Sequence, residues 1–289
     1  MENQKNNISI PITVVIPAFN EEETIGLTVS TIRSLYPEYE ILVVDDGSTD
    51  GTASRAEKEG ARVLRNYQNR GYGASLKRGI LKARDGIIIM IDGDGQHDCR
   101  DLSRLVENMA ESDMVVGRRE AKDQVVSRKP GKWLLTAVAQ YLVNQTIPDL
   151  NSGLRAFYRA DALKYLHLLP NGFSFTTTIT LAMMKDGREV RYLPVIVNRR
   201  EGGKSQVNFF RDGSKTLLLI LRVIMLFNPL KIFAPLSLIL ILLGGLYTIF
   251  MVIAYSNVSD TTTLFLLAGI GTLFFGLLAD QISNIRRGG

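Results

Sequence analysis

Two residue types on which many enzymes rely are almost missing from this chain of 289 residues. It has one cysteine, Cys99, and two histidines, His97 and His167. A single cysteine excludes an internal disulfide and fits a reducing compartment. Two histidines leave little material for a zinc site or a Ser-His-Asp triad. Chemistry in this chain therefore has to come from other side chains, and we expect His97 to support a neighbouring loop rather than to transfer protons.

Three familiar phosphate- and metal-binding motifs are also incomplete. The Gly-Lys-Ser at residues 203–205 lacks the upstream glycine of a Walker loop. Residues 71–76 begin like a dinucleotide fingerprint, but the third glycine is missing and a polar link separates them from the preceding strand. Residues 92–96 begin like a calcium loop, but His97 stands at the required glycine and no glutamate closes the loop. These gaps argue against P-loop, dinucleotide-binding and EF-hand sites.

Hydrophobic residues are unevenly distributed. The composition of residues 1–210 is typical of a soluble protein, whereas the chain from Thr216 onward is mostly hydrophobic. Residues 232–255, and 264–279 with an extension toward Ile285, are long enough to span a bilayer, which takes about 20 apolar residues. The alternative is a pair of buried core helices in a soluble protein. Residues 216–227 are apolar but short and contain Arg222, so they predict a helix at the membrane interface.

Basic residues flank the hydrophobic part. The link 256–263 has no lysine or arginine, whereas Lys231 and Arg286-Arg287 lie at the other ends of the two long stretches. The positive-inside rule then predicts an integral, multi-pass protein of the cell membrane with a cytoplasmic soluble domain and C-terminus. The net charge of +5 is modest. Basic residues cluster just before and within the hydrophobic part, a distribution that fits the flank of a membrane segment better than a nucleic-acid surface. Glycines at 244–245, 269 and 271 allow close helix packing, which is compatible with a homo-oligomer.

Apolar strands and helices alternate along the first half of the chain. The pattern predicts strands at residues 12–16, 40–44, 62–64, 86–91 and 113–117. Pro17 is expected to end the first strand, and Asn20 to cap the helix that follows it. Strands that alternate with helices imply an α/β fold with a mostly parallel, doubly wound sheet.

Carboxylates follow two of these buried strands. Asp45-Asp46 comes after the second strand, Asp92-Gly93-Asp94 after the fourth, and the polar loop 17–21 after the first. Because the carboxyl ends of parallel strands share the edge where open α/β sheets place ligands, we expect the three loops to form one crevice. Hard oxygen ligands beside glycines suit Mg²⁺ or Mn²⁺ carrying a substrate diphosphate. The alternative is an acidic turn that only closes a strand.

Four motifs in chain order resemble a known family. They are Pro17-Ala18-Phe19-Asn20-Glu21, Asp45-Asp46-Gly47-Ser48, Asp92-x-Asp94-x-Gln96-His97 and Asn151-Ser152-Gly153-Leu154-Arg155-Ala156-Phe157. This order resembles family 2 glycosyltransferases, most closely the polyprenyl-phosphate hexose synthases, over residues 10–210, and the trailing helix pair matches their membrane anchors. The resemblance implies a GT-A, Rossmann-like α/β fold whose mostly parallel sheet carries helices on both faces, followed by an interfacial helix and a two-helix transmembrane hairpin. The implied domains are a cytoplasmic catalytic domain at 1–210, a juxtamembrane helix at 211–230 and the transmembrane pair at 231–285.

The same resemblance implies roles for the residues that match the family motifs. Contacts with the donor nucleotide are implied for Pro17, Ala18, Asn20, Glu21, Asp46 and Asp92. Ligands of a divalent Mg²⁺ or Mn²⁺ ion would be Asp92, Asp94 and Gln96. Catalytic roles at the diphosphate are implied for Asp94, Arg200 and Lys204. Contacts with the acceptor phosphate are implied for Arg118, Arg128 and Ser205.

The implied reaction moves one hexose from a nucleotide sugar, GDP-mannose or UDP-glucose, to a polyprenyl or dolichyl phosphate with inversion. A phosphate monoester has a second pKa of about 6 and is mostly dianionic at neutral pH, so it needs no strong general base. The shortage of histidine agrees with this. Two departures leave the sugar open, because Gln206 stands where lysine is usual and residues 173–178 lack the family's carboxylate.

Two alternatives stay open at this stage. A family 2 enzyme acting directly on a cell-surface glycan would usually have more membrane helices and a Gln-x-x-Arg-Trp motif, and this sequence has neither. A catalytically silent membrane scaffold would keep the fold, but the intact Asp45-Asp46 and Asp92/Asp94 pairs argue against it.

Overall fold

Seven strands form a single mixed sheet in the computed structural model, which describes residues 10–119, 130–172, 174–197, 209–257 and 259–288. The strands are β1 Ile12–Ala18, β2 Glu40–Asp45, β3 Arg62–Arg65, β4 Ile87–Met90, β5 Met114–Arg119, β6 Arg155–Tyr158 and β7 Val190–Val195. Their order across the sheet is β3-β2-β1-β4-β6-β5-β7. Only β6 runs antiparallel to its neighbours among these strands, so the expectation of a mostly parallel sheet is confirmed.

Helices connect the strands and continue beyond them. They are α1 Glu22–Leu35, α2 Thr52–Lys58, α3 Tyr72–Lys82, α4 Asp101–Asn108, α5 Pro130–Val143, α6 Arg159–Tyr165, α7 Phe175–Lys185, α8 Phe209–Phe227, α9 Leu230–Tyr255 and α10 Asp260–Gly288. The five strands predicted from the sequence are present, and β6 and β7 are additional. Pro17 does not end β1, contrary to the prediction. The last pair between β1 and β4 is Val15 with Met90, and Pro17 lies beyond it. There β1 pairs with β2 alone, so the missing N–H of the proline is better tolerated.

The two faces of the sheet carry different helices because successive side chains of a strand point in opposite directions. Val14, Ile16 and Val43 lie in the cluster that includes the buried side chains of α1 and α4. Val15 and Val44 point to the other face, where they contact α3 at Gly79. This second face also receives α7, which matters for the site described below.

The chain divides into two compact units, each described here by itself. The first comprises residues 1–132 and 146–207 and contains the sheet; the second comprises residues 133–145 and 208–289. Most of α5 therefore groups with the C-terminal helices, a grouping that the linear domain boundaries predicted above do not include.

Hydrogen bonds from small polar side chains join the helices of the second unit. Ser237 Oγ in α9 donates to the Gly269 carbonyl of α10 at 2.6 Å, and Ser283 Oγ donates to the Leu226 carbonyl of α8 at 2.6 Å. Gly244 and Gly269 bring α9 and α10 close together, because a Cβ at either position would meet side chains of the other helix. Those two glycines therefore serve packing within the pair.

Lysine 231 joins α5 to the beginning of α9. Lys231 Nζ donates to the Tyr141 carbonyl and, at 2.5 Å, to Asn144 Oδ1, and it lies 4.3 Å from the centroid of the Tyr141 ring. A cation at the C-terminal end of a helix also interacts favourably with the helix dipole. This contact gives α5 its place in the second unit.

Two of the described helices are long and apolar enough to cross a membrane, Leu230–Tyr255 and Asp260–Arg286. Their apolar side chains are largely exposed; Ile253 is 80% exposed and Leu264 is 68% exposed. A core helix of a soluble protein would bury such residues. The helical prediction for residues 232–255 and 264–285 is confirmed, and the exposure fits an apolar surrounding.

Two helical glycines should respond in opposite ways to alanine. A Cβ at Gly79 would overlap Val15 Cγ1, whereas the nearest heavy atom to a Cβ at Gly26 lies 3.9 Å away. Overpacking costs about 1–3 kcal/mol, which outweighs the gain in helix propensity of about 1 kcal/mol. We expect Gly79→Ala to lower the thermal unfolding midpoint of the detergent-solubilised chain and Gly26→Ala to raise it. A rise with both variants would contradict the packing of α3 on β1.

Candidate functional site

Side-chain hydrogen bonds join the loop after β1 to the loop after β2. The Asn20 N–H donates to Ser48 Oγ at 3.0 Å, and the Thr49 N–H donates to Asn20 Oδ1 at 3.0 Å. The Glu21 N–H donates to Thr52 Oγ1 at 2.9 Å. The predicted helix cap at Asn20 is wrong, because Asn20 has a φ of 54° and its amide binds Thr49, while Glu21 occupies the cap position of α1. The expected convergence of these two loops is present.

Aspartate 46 is buried, and its carboxylate holds the loop after β3. Its Oδ1 accepts hydrogen bonds from Asn66 Nδ2 at 2.7 Å and the Arg70 N–H at 2.9 Å, and its Oδ2 accepts one from the Gly71 N–H at 2.8 Å. Both oxygens therefore have protein partners. The structure gives Asp46 a role in shaping the site, and its expected contact with a ribose stays a prediction.

Aspartate 92 lies where the antiparallel pairing of β4 with β6 continues past the end of β4. Met90 pairs with Arg155, and the same register brings Gly153 opposite Asp92. A Cβ at Gly153 would overlap the Asp92 Oδ2 atom, so the carboxylate rests directly on the backbone there. Tyr72, the first residue of α3, donates its hydroxyl hydrogen to Asp92 Oδ1 at 2.9 Å. Elements from three parts of the chain thus position this one carboxylate.

The surroundings of Asp92 disfavour an uncompensated negative charge. Burial raises the pKa of Asp92 and the nearby Asp94 raises it further, while the hydrogen bond from Tyr72 and the charge of Arg155 oppose the shift. About a third of the Asp92 side chain, 32%, remains exposed, so a ligand can reach it. A poorly solvated carboxylate beside a second carboxylate favours a bound cation.

Histidine 97 lies beside Asp92 but does not form a short hydrogen bond with it. The distance from His97 Nε2 to Asp92 Oδ2 is 4.0 Å. Burial lowers the pKa of His97 even though Asp92 and Asp94 act in the opposite direction, so the ring is neutral at pH 7. His97 also forms an isolated bridge with Val197, which fits the predicted supporting role.

The loop that contains Asp94 is ordered by its own turn and by α1. The Gln96 N–H donates to Asp94 Oδ1 at 3.2 Å, and Thr24 Oγ1 donates to the Gly93 carbonyl at 2.8 Å. Gly95 has a φ of +70°, a conformation that side chains rarely adopt. Asp92, Asp94 and Gln96 are all partly exposed on this loop.

These oxygen donors fit a divalent ion that is shared with a substrate. Within the described ranges, no group of three or more His, Cys, Asp or Glu side chains is arranged to hold a metal by itself. Mg²⁺ is usually bound through one or two carboxylates together with substrate phosphates rather than in an all-protein cage. Asp92, Asp94 and Gln96 supply the hard oxygens for such a partial set.

The end of β5 contributes two arginines with different surroundings. Arg118 is exposed, and it lies at the same sheet edge as Asp92 because β4 and β5 are both antiparallel to β6. Arg119 forms a two-point ion pair with Asp149, at 2.8 and 2.9 Å. Burial alone would raise the pKa of Asp149, but the hydrogen bonds and charge of Arg119, together with the hydrogen bond from the Asn151 N–H, lower it overall. Arg119 is therefore engaged within the protein, while Arg118 faces solvent.

Four predicted site residues, Arg128, Arg200, Lys204 and Ser205, lie outside the described residues. Pro17 and Ala18 are buried at the end of β1, next to the convergent loops.

Three residues at the site carry structural roles that the sequence reasoning did not assign: Tyr72, Gly153 and Arg155. Tyr72 lies in the Gly-Tyr-Gly segment that begins the incomplete dinucleotide fingerprint. Gly153 and Arg155 belong to the Asn-Ser-Gly-Leu-Arg motif that resembles the family. The arginine within an apolar segment is the sequence feature that could have indicated the role of Arg155, because a buried charge is costly unless other groups compensate it.

Comparison with known proteins identifies the family of the first unit. Residues 13–166 match Glycosyl transferase family 2, and residues 228–285 match the GtrB C-terminal hairpin. The undecaprenyl-phosphate mannosyltransferase of Micrococcus luteus is 29% identical over 214 residues, covering 68% of this chain and 87% of the relative. The dodecaprenyl-phosphate galacturonate synthase of Rhizobium johnstonii is 30% identical over 216 residues, covering 70% of this chain and 63% of the relative.

A solved structure agrees with the fold. Glucosyl-3-phosphoglycerate synthase from Mycobacterium tuberculosis, in complex with Mn²⁺, UDP-glucose and phosphoglyceric acid, superposes with a TM-score of 0.60 at 24% identity, covering 75% of this chain and 79% of that one. The family match includes the convergent loops, and the sheet order and the apolar helix pair agree with it. The chain therefore belongs to glycosyl transferase family 2 and is a glycosyltransferase with a GT-A fold and a C-terminal helix pair.

Proposed function

We propose that this enzyme transfers one hexose from a nucleotide sugar to a polyprenyl phosphate at a membrane, with inversion at the anomeric carbon. The observation that carries the proposal is one sheet edge that presents the Asp92/Asp94 pair and the exposed Arg118, in a chain that ends in two helices of membrane length. Both relatives named above have a polyprenyl phosphate in their names, with mannose in one and galacturonate in the other. They support the lipid phosphate as acceptor, and because their sugars differ they do not identify the sugar that this enzyme transfers.

The donor diphosphate would lie against Asp92, Asp94 and Gln96. A bound Mg²⁺ or Mn²⁺ ion would supply electrostatic stabilisation of the leaving nucleoside diphosphate. The solved structures of the mycobacterial synthase hold Mn²⁺ with UDP-glucose, or Mg²⁺ with UDP, which supports this choice of ions. Arg200 and Lys204 would add positive charge at the same diphosphate. Asp46 holds the loop after β3, and this loop would lie beside the nucleotide.

The acceptor brings its own nucleophile. A phosphate monoester with a second pKa of about 6 is mostly dianionic at neutral pH, so its oxygen can attack without a strong base. The arrangement of His97 agrees, because this buried neutral ring faces Asp92 and not open solvent. Arg118, together with Arg128 and Ser205, would hold the acceptor phosphate and offset its repulsion by the donor diphosphate.

The second unit would bring this reaction to the bilayer. We propose that α9 and α10 span the membrane, that α8 lies at its cytoplasmic surface, and that the first unit is cytoplasmic. The basic residues Lys231 and Arg286, and the absence of lysine and arginine from the link at residues 256–263, support this orientation. A polyprenyl phosphate cannot leave the bilayer, so the enzyme has to act at its surface.

The transfer can be tested directly with labelled donors. The full chain would be incubated with radiolabelled UDP-glucose or GDP-mannose, Mg²⁺, and undecaprenyl or dolichyl phosphate, and the product extracted into organic solvent. We expect label in the organic phase with one donor, and none when the unphosphorylated polyprenol replaces the lipid phosphate. Label that stays in the aqueous phase with every common nucleotide sugar would sink the proposal.

Replacing Asp94 should remove most of the turnover. We expect Asp94→Asn to reduce kcat by about 100-fold or more, since loss of metal-borne stabilisation is worth several kcal/mol and each 1.36 kcal/mol is a factor of ten. The matched control is Asp98→Asn on the same loop, because Asp98 pairs with Arg100. Wild-type turnover in Asp94→Asn, or an equal loss in both variants, would remove Asp94 from the metal site.

Adding one methyl group at Gly153 should weaken metal use. The new Cβ would displace the Asp92 carboxylate, so we expect Gly153→Ala to raise the KM for Mn²⁺ about tenfold or more, as for other changes in the support of a metal ligand. Gly172→Ala is the control, because a Cβ there meets nothing within 4 Å. An unchanged Mn²⁺ dependence in Gly153→Ala would mean that Asp92 is not a ligand.

A further inference from the structure

Arginine 155 is a fully buried cation, and its hydrogen bonds to the described residues go to uncharged groups. It is 0% exposed and lies in β6 beside Leu154, Ala156 and Phe157, which are also buried. Its guanidinium donates to the Thr176 carbonyl at 2.9 Å, to Thr180 Oγ1 at 2.8 Å, and to the Ser152 carbonyl. A buried charge costs several kcal/mol unless other groups compensate it, so this position calls for a function.

Two carboxylates act electrostatically on this guanidinium, Asp149 and Asp92. Asp149 already carries the two-point ion pair with Arg119. Asp92 is the other, and it points to the same face of the sheet as Arg155, because it follows by two positions the Met90 that pairs with Arg155. The buried cation and the carboxylate of the proposed metal site therefore belong to one electrostatic group.

A mechanical connection accompanies the electrostatic one. Arg155 holds the Ser152 carbonyl, and the next residue is Gly153, whose backbone supports the Asp92 carboxylate. The other two hydrogen bonds fix the guanidinium to the first turns of α7. The planar guanidinium reaches three acceptors at once, which an ammonium group cannot do in the same geometry. Helix α7 is in this way connected through Arg155 to the surface on which Asp92 rests.

We propose that Arg155 is a positioning residue for the metal site: by fixing the Ser152-Gly153 turn to α7, it keeps the Asp92 carboxylate in the place where a divalent ion and the donor diphosphate are bound. This inference rests on the proposed function, since it assumes that Asp92 and Asp94 bind the ion. It assigns to Arg155 no contact with substrate.

The first test is Arg155→Lys, measured as Mn²⁺ binding by electron paramagnetic resonance on the full chain in detergent, with UDP or GDP present and no turnover required. Lysine keeps the positive charge but loses the three-point attachment. Since the loss of an outer partner of a metal ligand typically costs 10–100-fold in affinity, we expect the Kd for Mn²⁺ to rise about tenfold or more. The KM for Mn²⁺ should rise in parallel, while kcat at saturating Mn²⁺ changes much less.

A second variant separates position from charge. Arg155→Met removes both the attachment and the positive charge. Because the lost charge no longer repels Mn²⁺, we expect this variant to bind Mn²⁺ at least as tightly as Arg155→Lys. Because the attachment is also lost, we expect it to bind Mn²⁺ more weakly than the wild type. Wild-type binding in Arg155→Lys combined with altered binding in Arg155→Met would show that only the charge matters, which overturns the positioning role.

Arg159→Lys is the matched control at the opposite end of β6. Arg159 also donates to backbone carbonyls, those of Ile80 at 2.8 Å and Leu81 at 3.0 Å, but it lies away from Asp92. We expect its Kd for Mn²⁺ to equal that of the wild type, and an equal loss in both lysine variants would overturn the inference in favour of general loosening. Absence of Mn²⁺ binding in the wild type would refute the proposed metal itself. Tight wild-type binding that Arg155→Lys retains would refute only the role of Arg155.

Discussion

The antiparallel pairing of β6 with β4 is the constraint on which the site depends. The other strands of the sheet run parallel to one another. If β6 were also parallel, the segment that precedes it would lie at the opposite edge of the sheet and not beside Asp92. With β6 reversed, the segment that enters it approaches from the ligand edge, and Gly153 arrives opposite Asp92. A shift of one residue in this register would turn Arg155 to the other face and bring a side chain against the carboxylate.

Around this pairing, the ligand edge is assembled from loops that are joined to one another by hydrogen bonds. The hydroxyl and amide groups of Asn20, Ser48 and Thr52 connect the first two loops, and Asp46 closes the loop in front of α3. Internal hydrogen bonds of this kind remove conformational freedom before a substrate arrives. Asp92, Asp94 and Gln96 remain partly exposed beside these loops.

Much of this arrangement could be predicted from the sequence, because it depends on local signals. The alternation of apolar runs with helices predicted the five parallel strands, and the carboxylates after two of these strands predicted the shared edge. The long apolar stretches predicted α9 and α10. The wrong prediction of a cap at Asn20 shows that a tertiary contact can override a local preference, because the Asn20 side chain accepts a hydrogen bond from Thr49 of another loop.

The strands β6 and β7 could not be found in this way. The first is four residues long and contains a buried arginine, and the second contains Pro194, which its place at the sheet edge tolerates. Each of these strands pairs with residues far away in the chain, so the periodicity of its own sequence does not predict the pairing. The supporting roles of Tyr72, Gly153 and Arg155 follow only from that pairing.

The late position of β6 in the chain has a consequence for biosynthesis. The parallel half of the sheet, β1 to β4, is complete once residue 90 has emerged from the ribosome, and Tyr72 is then already present to bind Asp92. The backbone surface at Gly153 on which the Asp92 carboxylate rests is added only when residues 152–155 have followed. Domains form from the N-terminal side during translation, and nonlocal pairing is slow because it must first close a long loop. This edge of the sheet is thus finished after the loops that follow β1 and β2 and before the apolar helices α9 and α10 are synthesised. A nascent chain that has not yet formed β6 therefore holds those loops but lacks the backbone surface on which the Asp92 carboxylate rests.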